Sequence, residues 1–178
     1  ELGYLVGLSR QRVNEALTRL QQRGWIRVEY GGVRVLDLSA LQACYSQRVT
    51  LNPGAKALVA TMKAHGARCV LVSGGFRFFT SRVAQAAGFH TDRANTLIDD
   101  GKLLTGAVAE PILGREAKLA ALRDEAAAIG ATLTDAVALG DGANDLDMIR
   151  AAGLGIAYKA KPIVAAETIA RIEYTDLT

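Results

Sequence analysis

Short apolar runs alternate with segments of helical spacing along most of the chain, a pattern typical of a parallel α/β sheet. The runs at residues 69–72, 136–139 and 154–157 have the length and apolarity of strands buried on both faces. The spacing predicts helices over residues 55–65, 76–87, 114–129 and 145–152, with a short helix from residue 161 and a last strand at 171–174. Residues 89–110 are predicted to form a hairpin excursion that turns near Asp99.

The first 43 residues have a different pattern. An apolar stripe predicts a helix over residues 10–23, with Ser9 as its N-cap. Two strand-like runs follow at residues 25–30 and 33–37, and Gly31-Gly32 between them indicates a hairpin. Helix followed by a two-stranded wing is the order of a winged helix-turn-helix unit. Residues 44–52 show no period, so we expect a winged helix-turn-helix at 1–43, a linker at 44–52 and an α/β core at 53–178.

Composition and charge indicate a globular protein with two units. Half of the 178 residues are hydrophobic and 22% are charged, and no apolar run is long enough to span a membrane. No signal peptide is visible, so we expect a cytoplasmic protein in which Cys44 and Cys69 are free, buried thiols. Residues 1–50 hold seven arginines and four acidic residues, whereas residues 51–178 are balanced. This asymmetry suggests that the two units have different partners.

The main candidate for chemistry is the loop that follows the run at 136–139. Asp141 and Asp145 lie in this loop, and Gly140 and Gly142 let the chain turn sharply. Carboxylate oxygens at the carboxyl end of a parallel strand suit Mg2+ that is shared with a phosphate. The simpler alternative is a helix-capping loop, which would explain Asp145 at the start of the next helix but not the whole cluster.

Two weaker features support a phosphate site. Ser73 and Gly74 end a buried strand and precede a helix, where a hydroxyl and backbone amides can bind an anion. Lys118 lies on the helix before the acidic loop and could neutralise a phosphate oxygen. Taken alone, Lys118 would be a solvated helix lysine.

Together these features resemble motifs two, three and four of the haloacid dehalogenase superfamily of phosphohydrolases. The likeness extends to its phosphoserine phosphatase family and spans nearly all of residues 50–178. The stretches that carry it are Asn52-Pro53-Gly54-Ala55, Leu71-Val72-Ser73-Gly74-Gly75-Phe76, Ala94-Asn95, Leu104-Thr105-Gly106, Lys118, Gly140-Asp141-Gly142-Ala143-Asn144-Asp145 with Met148, and Ala160-Lys161-Pro162.

This resemblance implies a magnesium-dependent phosphomonoester hydrolase that acts on phosphoserine in serine biosynthesis. It implies that Ser73, Gly74 and Asn144 bind the phosphoryl group and that Lys118 stabilises the transition state. Asp141 would be the Mg2+ ligand, and Asp145 would orient the ligands around the ion from a second shell. The family pathway passes through an aspartyl-phosphate intermediate.

The sequence departs from the family at the nucleophile, which the family carries in Asp-x-Asp-x-Thr at the end of its first strand. This motif is absent from the 178 residues, and although Asp37 ends an apolar run, the wing hairpin already accounts for that run. We therefore expect a Rossmann-like sheet of haloacid dehalogenase type that lacks its first, central strand and its cap, with impaired activity. A second protomer or the wing could fill the gap between the neighbouring strands.

Residues 1–43 resemble the DNA-binding end of catabolite-activator-type bacterial regulators. The resemblance implies that Arg10, Gln11 and Asn14 contact base edges and that Ser9 and Arg12 lie near phosphates. The chain could then be a DNA-binding regulator whose degenerate phosphatase-like part senses a metabolite. A third possibility is that two truncated pieces were joined by gene decay or an assembly error.

Overall fold

The structure is a computed structural model that describes residues 18–19, 21–29, 32–35, 38–99 and 104–178. Its contacts divide the chain into two units. The first contains Glu1–Val49 and Leu97–Ala109, and the second contains Thr50–Thr96 and Glu110–Thr178. In the described part of the chain, no helix is long and apolar enough to cross a membrane.

The described residues of the first unit contain two antiparallel strand pairs, helical residues at 18–19 and 21–22, and one longer helix. Strand β1 (Ile26–Glu29) pairs with β2 (Gly32–Val35), which begins at the second glycine of the pair at which the sequence predicts a hairpin. Helix α1 (Leu38–Arg48) follows. The N-terminal helix predicted over residues 10–23 lies mostly outside the described residues, so the winged helix-turn-helix stays a prediction.

Helix α1 differs from the expected linker at 44–52, because it continues to Arg48. Apolar and polar side chains are spread evenly around this helix, so its sequence carries no amphipathic period to detect. Cys44 lies on it and is exposed, which corrects the expectation of a buried thiol, whereas Cys69 is half-buried. Both thiols are free.

The second unit alternates strands and helices as the sequence predicts. Its elements in chain order are α2 (Ala55–Ala64), β3 (Val70–Phe76), α3 (Arg77–Ala87), β4 (Thr91–Asn95), α4 (Arg115–Ala128), β7 (Val137–Gly140), α5 (Leu146–Ala151), β8 (Leu154–Tyr158), α6 (Pro162–Ala165) and β9 (Ala170–Ile172). The remaining strands, β5 (Leu97–Asp99) and β6 (Leu104–Val108), form an antiparallel pair that belongs to the first unit. The expected excursion at 89–110 is therefore shorter, because β4 joins the α/β unit instead.

All strand pairs of the second unit are parallel, which confirms the predicted α/β class. Strand β3 pairs with β4, and β7, β8 and β9 form a three-stranded sheet in that order. Within the described ranges, β3 has no other strand neighbour and β7 pairs with β8 alone. Val137 and Leu139 on β7 are 47% and 37% exposed, so this edge of the sheet is apolar and open. Whether a missing central strand explains this edge stays a prediction.

The most deeply buried cluster of the second unit lies directly behind the acidic loop. Leu146 and Ile149 on α5 pack with Ala157 on β8 and Val164 on α6. At Gly155 a Cβ atom would overlap the backbone oxygen of Ile149, so glycine lets α5 lie close to β8. Burial of these apolar side chains fixes the helix that begins where the acidic loop ends.

Candidate phosphate and metal site

The acidic loop folds around the carboxylate of one of its own residues. Strand β7 ends at Gly140, and residues Ala143–Asp145 form a single 3-10 turn before α5. The Asp145 Oδ2 atom accepts hydrogen bonds from the backbone N–H groups of Asp141, at 3.2 Å, and Gly142, at 3.0 Å. Asp145 thus caps the turn behind it and makes no side-chain cap to α5, so the predicted helix cap is wrong. The reason is that its carboxylate points back into the loop.

Gly140 makes room for this arrangement. A Cβ atom at Gly140 would lie 2.5 Å from the Cβ of Asp145 and 2.6 Å from its Cγ. Carbon atoms cannot approach that closely without displacing one of the two residues. The first glycine of the loop is therefore needed for space, in addition to the turn that the sequence indicated.

Lys118 reaches the acidic loop from helix α4. Its Nζ atom donates to Asp145 Oδ1 at 2.5 Å, and the side chains of the pair are only 9% and 6% exposed. The alternative of a solvated helix lysine is therefore wrong. A buried ion pair depends on both partners, because removing one leaves the other charge unpaired away from water. Asp145 consequently holds Lys118 and the loop backbone together.

Ser73 and Gly74 lie in an irregular part of β3. The β3–β4 ladder shifts register between Val72 and Phe76, and the N–H of Gly75 donates to Ser73 Oγ at 3.0 Å within this interval. Ser73 is half-buried and Gly74 is exposed, so a ligand can reach the loop. Helix α4 contacts both β3 and the turn at Ala143–Asp145. The helix thus connects the two loops that the sequence assigns to phosphate and metal binding.

Three further polar residues lie in the acidic loop and on α5. Asp141 and Asn144 are exposed. Asp147, which spacing would place in solvent, instead accepts two hydrogen bonds at 2.6 Å from Arg115, the first residue of α4. The hydrogen-bonded guanidinium holds the pKa of the Asp147 carboxyl below its ordinary value. This pair therefore links α5 to α4 at the surface.

A magnesium ion would find one available carboxylate here. Both oxygens of Asp145 are already engaged, one by Lys118 and one by backbone amides, which leaves Asp141 as the exposed carboxylate of the loop. Among the described residues, His, Cys, Asp and Glu side chains form no group of three or more that could hold a metal. Magnesium commonly keeps several waters and binds through one or two carboxylates and a phosphate. The donor set fits Mg2+ in that form, with phosphate as a further ligand.

The predicted DNA-contacting residues, Ser9, Arg10, Gln11, Arg12 and Asn14, all lie outside the residues that the structure describes. The same is true of Asp37. The structure therefore places none of them relative to the site.

Sequence reasoning assigned no role to two contacts that hold the loops. Asn95, at the end of β4, hydrogen-bonds the backbone of Gly74 and Leu113. The N–H of Lys161 donates to the carbonyl of Asp141 at 3.1 Å. Both residues belong to stretches that carry the family resemblance, which was the available signal. Their partners are distant backbone atoms, so no local pattern could show them.

Comparisons with known proteins bear on the family of the chain. A family model described as haloacid dehalogenase-like hydrolase matches residues 5–150. The chain is 45% identical over 144 residues to a phosphoserine phosphatase of Streptomyces coelicolor, covering 79% of this chain and 35% of that protein. A phosphoserine phosphatase of Polaromonas is 36% identical over 168 residues, covering 88% and 71%. A haloacid dehalogenase family hydrolase of Salmonella enterica serovar Typhi superposes with a TM-score of 0.77 at 30% identity, covering 98% and 61%.

The chain therefore belongs to the haloacid dehalogenase-like hydrolases and has their α/β fold. Within that class, the matches support the phosphoserine phosphatase family over residues 5–150. The family match begins inside the segment in which the sequence predicts a winged helix. The chain spans about a third of the length of the Streptomyces relative, 35%.

Proposed function

We propose that the second unit binds the phosphoryl group of a small phosphomonoester together with Mg2+, and that its substrate class is O-phospho-L-serine. The observation that carries this proposal is the buried ion pair of Lys118 and Asp145. It holds a cation on the carboxylate that also accepts the backbone N–H of Asp141, the residue after β7 whose own side chain is exposed. A buried cation and an exposed carboxylate carried by the same loop suit a phosphate that is shared with a metal ion.

Each residue then has a distinct task at the phosphate. The Ser73 hydroxyl and the Gly74 backbone bind phosphoryl oxygens, with Asn144 contributing from the acidic loop. Lys118 neutralises charge that grows on the phosphoryl oxygens, and Asp145 keeps it in place. Mg2+ bound to Asp141 would supply further positive charge at those oxygens.

Hydrolysis breaks the bond between phosphorus and the serine oxygen, which takes up a proton, and forms a new bond between phosphorus and a water oxygen. In the family, an aspartate of Asp-x-Asp-x-Thr carries the phosphoryl group between these two events. The 178 residues contain no such motif. We therefore propose that this chain binds phosphate and phosphoserine but turns the ester over slowly. Its product, serine, would place it in a cytoplasmic biosynthetic route.

The test measures binding and turnover separately. Calorimetric titration of the chain with inorganic phosphate in magnesium chloride should show binding that weakens by about tenfold in Ser73→Ala, which loses one hydrogen-bond donor to the ligand. Thr168→Val removes a hydroxyl that bonds only the Val164 and Ala165 carbonyls and is the matched control. Absence of phosphate binding, or equal binding in Ser73→Ala, contradicts the site.

Turnover is followed as phosphate released from O-phospho-L-serine. We expect a rate no higher than that of Asp141→Ala, because the covalent route has no nucleophile. A magnesium-dependent rate clearly above that of Asp141→Ala would show that another group supplies it.

A second candidate function is DNA binding by the first unit. Arg27 on β1 stands directly opposite Arg34 on β2 in the antiparallel register. Residues 1–50 hold seven arginines against four acidic residues, and such a basic excess favours an anionic partner. Retention of the chain on duplex DNA should fall steeply as salt rises, and Arg27→Ala should lower it. Arg150→Ala, which removes a surface arginine of the other unit, is the control. Retention that is insensitive to salt contradicts this candidate.

A further inference from the structure

The side chain of Asn95 is buried between the two segments that the proposed phosphate site depends on. Asn95 is only 6% exposed and ends strand β4. Its Nδ2 atom donates to the carbonyl of Gly74 at 2.9 Å, and its Oδ1 atom accepts from the N–H of Leu113 at 2.7 Å. The carbonyl of Leu113 lies 3.5 Å from Nδ2 and shares that donor. One amide thus joins two stretches of backbone that are far apart in sequence.

We propose that Asn95 is the positioning residue of the phosphate site, which sets the Ser73–Gly74 loop at a fixed place relative to Lys118. The inference rests on the proposed function, since it concerns how the same site is held. Asn95 itself lies behind the loop and contacts its backbone.

The break in the β3–β4 ladder explains why such a residue is needed. Regular pairing ends at Val72 and resumes at Phe76, which is aligned with Asn95. The N–H and C=O groups in the interval are not held by the ladder and need other partners. The Asn95 amide supplies the donor for Gly74, so the loop is fixed by a side chain where the strand register fails.

The other end of the amide fixes the helix that carries the cation. Leu113 lies two residues before α4 begins at Arg115, and Lys118 lies in the first turn of that helix. By holding Leu113 through its N–H, Asn95 ties the start of α4 to the Gly74 carbonyl. The same buried amide therefore positions the loop that carries the Ser73 hydroxyl and the helix that carries the Lys118 ammonium.

An amide of this length makes both hydrogen bonds at once. It donates to a carbonyl and accepts from an N–H, whereas an ionised carboxylate of the same shape only accepts. Asn95→Asp keeps the size and the bond from the Leu113 N–H, and it loses the donor to Gly74. When the carboxyl is protonated, its O–H can donate again. Asn95→Leu removes both bonds at similar volume.

Calorimetric titration with inorganic phosphate in magnesium chloride tests the inference, at a temperature at which circular dichroism shows every variant folded. We expect Asn95→Leu to bind phosphate about tenfold or more weakly, because small displacements of binding groups have large effects. Asn95→Asp should be equally weak at neutral pH. Its affinity relative to the unaltered chain at the same pH should recover as the pH falls and the carboxyl regains its proton.

Thr80→Val is the matched control. Thr80 is buried like Asn95 and also hydrogen-bonds strand β4, but its hydroxyl donates to the Asp92 carboxylate, at 2.5 Å. This variant should change phosphate affinity by less than about twofold, since it loosens β4 and leaves the hydrogen bonds of Asn95 to Gly74 and Leu113 intact. A loss in Thr80→Val as large as in Asn95→Leu would show that strand stability alone matters, and would overturn the inference.

The outcomes separate this inference from the proposed function. Unaltered chain that binds no phosphate overturns the proposed function, and the role of Asn95 falls with it. Phosphate binding that depends on Ser73 and is unchanged in both Asn95 variants overturns only the positioning role. Amide hydrogen exchange provides a second measurement if Asn95→Leu fails to fold. In Asn95→Asp, the exchange rates should rise together around Gly74 and Leu113. Unchanged rates at both places would contradict the positioning role of Asn95.

Discussion

The two loops of the candidate site are held in different ways, one by charged groups and the other by a neutral amide. The acidic loop is organised by charge, because Asp145 accepts two backbone N–H groups on one oxygen and the Lys118 ammonium on the other. The loop at Ser73 and Gly74 is organised by the neutral amide of Asn95. The side chains of Lys118, Asp145 and Asn95 are all buried, so water competes little with their interactions.

The difference shows what each loop can tolerate. A buried charge needs its partner, and losing that partner costs more than the pair itself contributes to stability. A neutral amide that loses one hydrogen bond leaves a smaller desolvation penalty. The acidic loop should therefore be the more fragile of the two, although it lies directly in front of the best-packed cluster of the unit.

The largest expected effect is that of Lys118→Met, which leaves the Asp145 carboxylate buried without its cation. We expect the free energy of unfolding to fall by about 3–5 kcal/mol in urea titrations. Asn95→Leu should cost about 1–3 kcal/mol in the same measurement, because only neutral groups lose partners.

The double variant Lys118→Met with Asp145→Asn is the control for charge. The amide oxygen introduced by Asp145→Asn can still accept the backbone N–H groups, so much of the loss should be recovered. If Lys118→Met lowers the free energy of unfolding no more than Asn95→Leu does, the charged contact of the acidic loop is no more critical than the neutral contacts of Asn95.

A medium effect is expected from adding a single methyl group to each loop. In Gly140→Ala the new Cβ would meet Asp145 at 2.5 Å, whereas in Gly74→Ala its near neighbour is the Leu113 carbonyl oxygen at 3.6 Å. We expect Gly140→Ala to lose about 1–3 kcal/mol by overpacking and Gly74→Ala to lose less than about 1 kcal/mol. Thermal unfolding of the two variants side by side measures this, and equal losses would refute the difference in packing.

The smallest expected effect is on the pH dependence of stability, through a carboxylate on helix α4. Lys118 lies on this helix, and Asn95 holds the backbone just before it. Burial raises the pKa of the Glu125 carboxyl, but hydrogen bonds from Arg68, at 2.5 Å, and Arg93, at 2.8 Å, outweigh it and lower the pKa below 4.5. The stability that this carboxylate contributes is therefore complete above its unfolded pKa and is lost as the pH falls through the lower, folded value.

Unfolding free energies at about pH 7 and about pH 3 should thus differ less in Glu125→Gln than in the unaltered chain. Asp124→Asn, whose carboxyl is largely exposed, is the matched control and should keep most of the difference. An unchanged pH dependence in Glu125→Gln would show that the far end of α4 is not held by this charge.

Much of the second unit could be predicted because its signals are local. Apolar runs located β3, β7 and β8 within a few residues, and glycines and carboxylates located the acidic loop. The prediction was wrong where the deciding contact is distant. Asp145 was expected to cap α5, but its carboxylate is drawn back by two loop amides and a lysine 27 residues earlier. Helix α1 was missed because it has no amphipathic face.

The sequence by itself determined the family, the alternation of strands and helices, and the residues that we propose for phosphate and magnesium binding, because these depend on short patterns. It also determined the absence of Asp-x-Asp-x-Thr from the 178 residues. Only the tertiary structure decided that Lys118 is buried against Asp145, that Asp141 keeps its carboxylate exposed, and that Asn95 joins Gly74 to Leu113. These facts depend on which distant backbone and side-chain groups meet once the parallel strands pair, and spacing along the chain does not encode that.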